Sequence, residues 1–150
     1  KEIVISIGDS ISDSLKDKCY IALKKSDGTF QYKGKTWKEG VLYAKTSEFG
    51  IFTVIADTIN PIISDYYFKN KTNINNEGTI SVKIMDHESG ISYYRGEIDG
   101  KWILMEYDFK SDLLTYYIDT EKLKKGEHTL KIITRDRMDN ETIFLKNFIY

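Results

Sequence analysis

Apolar and polar residues alternate along much of this chain. Ile80, Val82 and Ile84 take every second position between Thr79 and Met85, and His128, Leu130 and Ile132 do the same between Glu127 and Arg135. A period of two sends one set of side chains to each face of an extended strand. The pattern predicts strands over Glu2 to Ile7, Asp17 to Lys25, Thr29 to Lys33 and Trp37 to Lys45, the last broken at Glu39-Gly40 by a bulge or tight turn. Phe49 to Asp57 is apolar on both faces and reads as a central strand. Seven more follow, over Ile62 to Phe68, Thr79 to Met85, Ile91 to Ile98, Lys101 to Tyr107, Leu113 to Ile118, Glu127 to Arg135 and Thr142 to Tyr150. Gly8 to Lys18 and Lys69 to Gly78 are polar connections, as is Asp119 to Gly126 with one helical turn at Glu121 to Lys124.

The turns carry their own signals. Asp99-Gly100 lies between two apolar-aromatic runs, and a type I′ hairpin needs positive φ at both central residues, which Asp tolerates and Gly takes freely. Ser89-Gly90 supplies another turn. The only proline, Pro61, pushes Asn60 into an extended conformation and marks a boundary. The expected organisation is a small all-β module over 1–57 and an immunoglobulin-like or fibronectin-type β-sandwich over 58–150. The first part, with four or five strands, is thin for a sandwich of its own, so it either lacks strands upstream or leans on the second part.

Composition narrows the function classes. Hydrophobic residues are 41% and charged residues 30%, a soluble globular balance, and a net charge of −1 gives no electrostatic case for nucleic acid. No apolar run is long enough to span a bilayer. The single cysteine, Cys19, excludes an internal disulfide, and its apolar neighbours predict a buried thiol. A chain beginning at Lys1 reads as a processed or excised product, from which a signal peptide could have been lost upstream.

Candidate chemistry sits in the turns. If the strands run up and down in order, one end gathers Asp57, Asp86, Glu88, Asp108, Asp112, Asp136 and Asp139. Hard cations take several carboxylate oxygens, so Asp57, Asp86 and Asp136 form a candidate calcium site. The competing reading is that each Asp caps its own turn through a side-chain to backbone hydrogen bond. Tyr94, Tyr107 and Tyr117, on neighbouring strands, form a candidate aromatic platform for sugar rings. Trp102 is expected in the core between two sheets, and Trp37 is a similar case. The pairs Glu97/Asp99 and Glu106/Asp108 could serve as glycosidase acids, but strand alternation places each pair on one solvated face. No catalytic residue is assigned. His87 and His128 lie far apart, in no zinc-binding pattern.

Several pieces are familiar together. They are Asp57-Thr58 followed by Pro61, Ser89-Gly90-Ile91 three residues after Asp86, Ile98 to Trp102, Glu106 to Asp108, Lys125 to Leu130, and a closing Asp136, Asn140 and Phe144. In series they resemble the C-terminal β-sandwich region behind the catalytic domain of lysostaphin-type (LytM-like) zinc metallopeptidases from Bacteroidetes-type bacteria. The stretch from Lys45-Thr46 to Asp57 is similar to the module that precedes that region. Asp139 departs from the pattern, where such domains usually carry Gly. The resemblance does not carry the peptidase activity, because the two His, Asp zinc set with its H-x-H pair is missing. It implies a non-catalytic accessory module of an exported envelope protein, in the periplasm or at the cell surface, that engages a protein or a cell-wall glycan and needs no cofactor. The alternatives are a C-terminal fragment of a peptidoglycan metallopeptidase and a carbohydrate-binding module. Asp9-Ser10-Ile11, Asp13-Ser14-Leu15 and Asp57-Thr58-Ile59 resemble the short O-glycosylation signal of exported proteins from such bacteria.

Overall fold

The structure is a computed structural model and describes residues 2–8, 11–65, 74 and 78–150. The polar loop expected over Lys69 to Gly78, apart from Ile74 and Gly78, lies outside the described residues. So do the end of the strand expected at Ile62 to Phe68 and the Asp9-Ser10 pair. The strands, in chain order, are β1 (Ile3–Gly8), β2 (Cys19–Lys24), β3 (Phe30–Gly34), β4 (Thr36–Lys38), β5 (Val41–Thr46), β6 (Ile51–Ala56) and β7 (Ile62–Asp65). They continue as β8 (Thr79–Met85), β9 (Ile91–Ile98), β10 (Lys101–Ile103), β11 (Glu106–Asp108), β12 (Leu113–Tyr117), β13 (Glu127–Asp136) and β14 (Glu141–Ile149). A 3-10 helix at Asp13–Lys18 interrupts the all-β plan.

Two compact units form, and neither is continuous in sequence. The first holds Lys1–Ile59 with the short segments His87–Gly90 and Arg137–Asp139; the second holds Asn60–Asp86, Ile91–Asp136 and Asn140–Tyr150.

The first unit has two antiparallel three-stranded sheets, β1-β5-β4 and β3-β2-β6. Alternation along β2 sends Cys19 and Ile21 into a cluster with Leu42 and Ala44 of β5, so the two sheets share one core. Tyr20 and Ala22, on the opposite face of β2, are also buried, because Met138 packs there with Tyr32 and Ile55. The Tyr20 hydroxyl donates to the Glu88 carbonyl at 2.9 Å. Arg137 donates to the Ser89 carbonyl at 2.7 Å and lies 5.0 Å above the Tyr32 ring. Burial pushes the Tyr32 phenol up from its ordinary value, and the Arg137 charge pulls it back in part. The strand buried on both faces is therefore β2, while β6, expected in the centre, is an edge strand with Ile51 exposed. Its apolar run was legible, but burial is set by what covers a strand, and here the cover comes from distant sequence.

The second unit is an immunoglobulin-like sandwich by its topology. One sheet runs β10-β9-β13-β14 and the other β11-β12-β8-β7. Relabelled in chain order this is the A-B-E-D sheet facing C′-C-F-G of that fold. Leu130, Ile132, Ile98 and Phe148 from one sheet meet Ile80, Val82, Ile84 and Leu114 from the other in a single core. Each such fully buried side chain contributes roughly 1.5–3 kcal/mol.

Asp99 (φ 50°) and Gly100 (φ 74°) form the expected I′ corner between β9 and β10. Glu39 (φ 51°) and Gly40 (φ 76°) make a second two-residue hairpin, between β4 and β5. The strand expected over Lys101 to Tyr107 is two strands: β10 pairs with β9, β11 pairs with β12, and the chain changes sheet at Leu104-Met105. Met105 enters the core against Gly96, where a Cβ on Gly96 would collide with its sulfur.

Candidate functional site

Asp57 belongs to the first unit, and Asp86 and Asp136 belong to the second. Asp57 sits just after β6, Asp86 just after β8, and Asp136 at the end of β13. Asp57 and Asp136 are fully buried, and both oxygens of each accept hydrogen bonds. Asp57 accepts from the Ile59 amide at 3.0 Å and the Ser89 amide at 3.2 Å. Asp136 accepts from the Asn140 amide at 2.9 Å and the Asn140 side-chain amide at 2.6 Å. The bonds from Ile59 and Asn140 are turn caps of the competing reading, whereas Ser89 reaches Asp57 across 32 positions. The turn between β13 and β14 has its positive φ at Asp139 (58°).

Tyr94, Tyr107 and Tyr117 do not share a face. Tyr94 pairs with buried Thr134, and Tyr107 with buried Leu114, so both lean to the core side of their sheets, with ring centroids 5.7 Å apart. Burial pushes the Tyr107 phenol up, and the nearby Asp112 charge adds to the shift. Tyr117 has the opposite parity to buried Leu114 and Tyr116 and lies exposed on the outside of its sheet.

Trp102 corrects an expectation. It is 58% exposed rather than part of the core. Pairing fixes this: Trp102 faces Glu97 across the ladder, while Ile103 faces Gly96 and turns inward. Met105 then takes the space in the core that a large aromatic was expected to fill. On the same outer face of β10-β9-β13-β14 stand Tyr93, Ile143 (51% exposed) and Leu145 (64% exposed). Charged pairs thread between them. Arg95 bonds Glu97 at 2.7 Å, Arg135 bonds Glu141 at 2.6 Å, and Arg135 lies 5.3 Å over the Tyr93 ring. The Arg95 hydrogen bond holds Glu97 below the usual carboxylate range. The signal for this face was in the sequence: Ile143, Phe144 and Leu145 are consecutive apolar residues, so one parity had to face outward.

The acid pairs weighed as glycosidase residues have other partners. Glu97 holds Arg95, Asp99 holds His128 at 2.7 Å, and Asp108 caps the Lys110 amide and the Ser111 hydroxyl. The His128 ring nitrogens both face acceptors, Asp99 at 2.7 Å and the Lys124 carbonyl at 2.8 Å. His87 is exposed. Trp37 is half-buried and donates to the Lys16 carbonyl at 2.9 Å. Cys19 is buried, as expected.

No family model matches this chain, and no curated protein matches it. Among solved structures it is similar to the fibronectin(III)-like modules of Clostridium thermocellum CbhA, at 18% identity over 99% of this chain and 85% of that one, with a TM-score of 0.46. It is also similar to the apo expansin of Clavibacter michiganensis, at 6% identity over 98% and 80% of the two chains, with a TM-score of 0.36. A third is BcpA, the major pilin subunit of Bacillus cereus, at 14% identity over 99% and 69%, with a TM-score of 0.24. The fold assignment above rests on this chain's own strand order.

Proposed function

We propose that this chain is a non-catalytic accessory module of an exported cell-envelope protein, and that the outer face of β10-β9-β13-β14 docks a protein partner. One observation carries the proposal: Trp102, Tyr93, Ile143 and Leu145 stand exposed together on one hydrogen-bonded sheet. Aromatic anchors beside arginines are what protein interfaces concentrate. Aliphatic Ile143 and Leu145 favour a protein over a sugar, since neither can stack on a ring or hydrogen-bond a hydroxyl. Placement in the periplasm or at the cell surface, and the association with a metallopeptidase, rest on the motif series described above. No described helix is long and apolar enough to cross a membrane.

The test is a photo-crosslinker at position 145, with one at position 117 on the other sheet as the control, in an envelope extract. The expected result is a single protein captured from 145 and not from 117. Trp102→Ala is expected to weaken that complex at least about tenfold while changing folding stability by less than about 0.5 kcal/mol. Equal capture from both positions rejects the surface. Quenching of Trp102 fluorescence by peptidoglycan fragments, with no protein captured, would instead favour the carbohydrate-binding reading.

Calcium at Asp57, Asp86 and Asp136 stands as a separate proposal, supported by the acidic residues that the sequence places at these turns. Three single oxygens leave a shortfall against the six to eight that calcium takes. A rise of several degrees in Tm at millimolar calcium is the result this proposal requires, and an unchanged Tm removes it.

A further inference from the structure

His128 is the second residue of β13, and its side chain is only 11% exposed. Its Nδ1 meets the Asp99 carboxylate at 2.7 Å and its Nε2 meets the Lys124 carbonyl at 2.8 Å. A carboxylate and a carbonyl are both acceptors, and a neutral imidazole has only one N–H to donate. The imidazolium alone satisfies both contacts.

We propose that His128 is a proton-controlled clamp: as the imidazolium it ties the β9–β10 turn and the loop before β13 to the head of β13, and loss of its proton releases the loop. The loop is the weaker partner for a physical reason. Once the ring is neutral, the charged Asp99 keeps the remaining proton on Nδ1, because a hydrogen bond to an ion is stronger than one to a carbonyl. Nε2 then points a lone pair at the Lys124 carbonyl oxygen, and that contact becomes repulsive. The turn stays tied, since Asp99 also accepts from the Thr129 amide at 2.9 Å.

The surrounding charges fit this role. From the β9–β10 turn the ring faces Asp99, which has Lys101 nearby. From the loop it faces the Lys124 carbonyl, while the Lys124 ammonium bonds the Glu121 carbonyl at 3.1 Å. Glu127 adjoins it on β13. From β14 it meets Phe148, an uncharged ring at 5.4 Å. The Asp99 hydrogen bond raises the His128 pKa above the ordinary 6.5, partial burial opposing it. The Asp99 pKa is lowered below 3.8, chiefly by the same bond. The signs define a window. The histidine's contribution is complete below 6.5 and is lost as pH rises through its raised value. The aspartate's contribution is complete above 3.8 and is lost as pH falls through its lowered value. The clamp is therefore closed below 6.5 and opens as pH rises through the raised histidine value. Its position makes the opening local, because His128, Glu127 and Asn147 border a cavity of about 420 Å³ at that end of the sheet.

The experiment is amide hydrogen exchange on the whole chain, as protection factors, with an NMR titration of the His128 ring. The expected ring midpoint is above 6.5. Across it, protection of the Leu123 and Gly126 amides should fall about three- to tenfold, the weight of one hydrogen bond, while β8 and β12 hold constant. In His128→Gln this pH dependence should vanish. If that variant does not fold, Asp99→Asn, which keeps a residue suited to positive φ, should lower the ring midpoint. A midpoint at or below 6.5, loop protection equal on both sides of it, or a pH dependence surviving in His128→Gln overturns the clamp.

Discussion

Met138→Ala should lower the stability of the first unit by about 2–3 kcal/mol, although Met138 lies in the turn after β13. Its side chain is buried against Tyr20 and Ala22, and truncation leaves a cavity on the outer face of β2. The chain offers a clean reporter. Its two tryptophans fall one in each unit, so a Trp102→Phe background leaves Trp37 to report the first unit alone. The midpoint of denaturant unfolding followed by Trp37 should drop. An unchanged midpoint would mean that the late segments are not part of that unit's core.

Asp136→Ala should cost the second unit about 2–4 kcal/mol, because it strands two donors at once. Both the amide and the side-chain NH2 of Asn140 bond the Asp136 carboxylate, and both residues are buried. Asp136→Asn keeps one acceptor and should recover about half of the loss. Amide exchange along β13 and β14 reads the effect, since this turn joins those strands. A loss under about 0.5 kcal/mol would show that the carboxylate is dispensable for the turn.

Local chemistry made much of this architecture readable in advance. The Asp99-Gly100 corner, the strand at Thr79 to Met85 and the burial of Cys19 depend on a few neighbouring residues, and a one-dimensional pattern carries them. The placing of Asp57, Asp86 and Asp136 at strand ends was legible because acidic residues recur where apolar alternation stops. Trp102 was misplaced because its direction depends on register: with Ile103 opposite Gly96, parity turned the tryptophan outward. Tyr117 parts from Tyr107 for the same reason, because its parity puts it on the other side of their sheet. β6 was read as central because an apolar run records that a strand can be buried, whereas the cover itself falls on β2 from residues far along the chain.

That cover has a consequence for biosynthesis. Tyr20 reaches its hydrogen-bond acceptor across 68 positions, and Lys18 donates to the Met138 carbonyl across 120. A chain emerging from the ribosome has made β2 long before either segment exists. Tyr20 and Ala22 must therefore wait, uncovered, until Met138 has been made. Contacts this distant in sequence close slowly and leave apolar surface open meanwhile. The first unit is therefore begun before the second yet closes only once Arg137–Asp139 has been made, after most of the second unit.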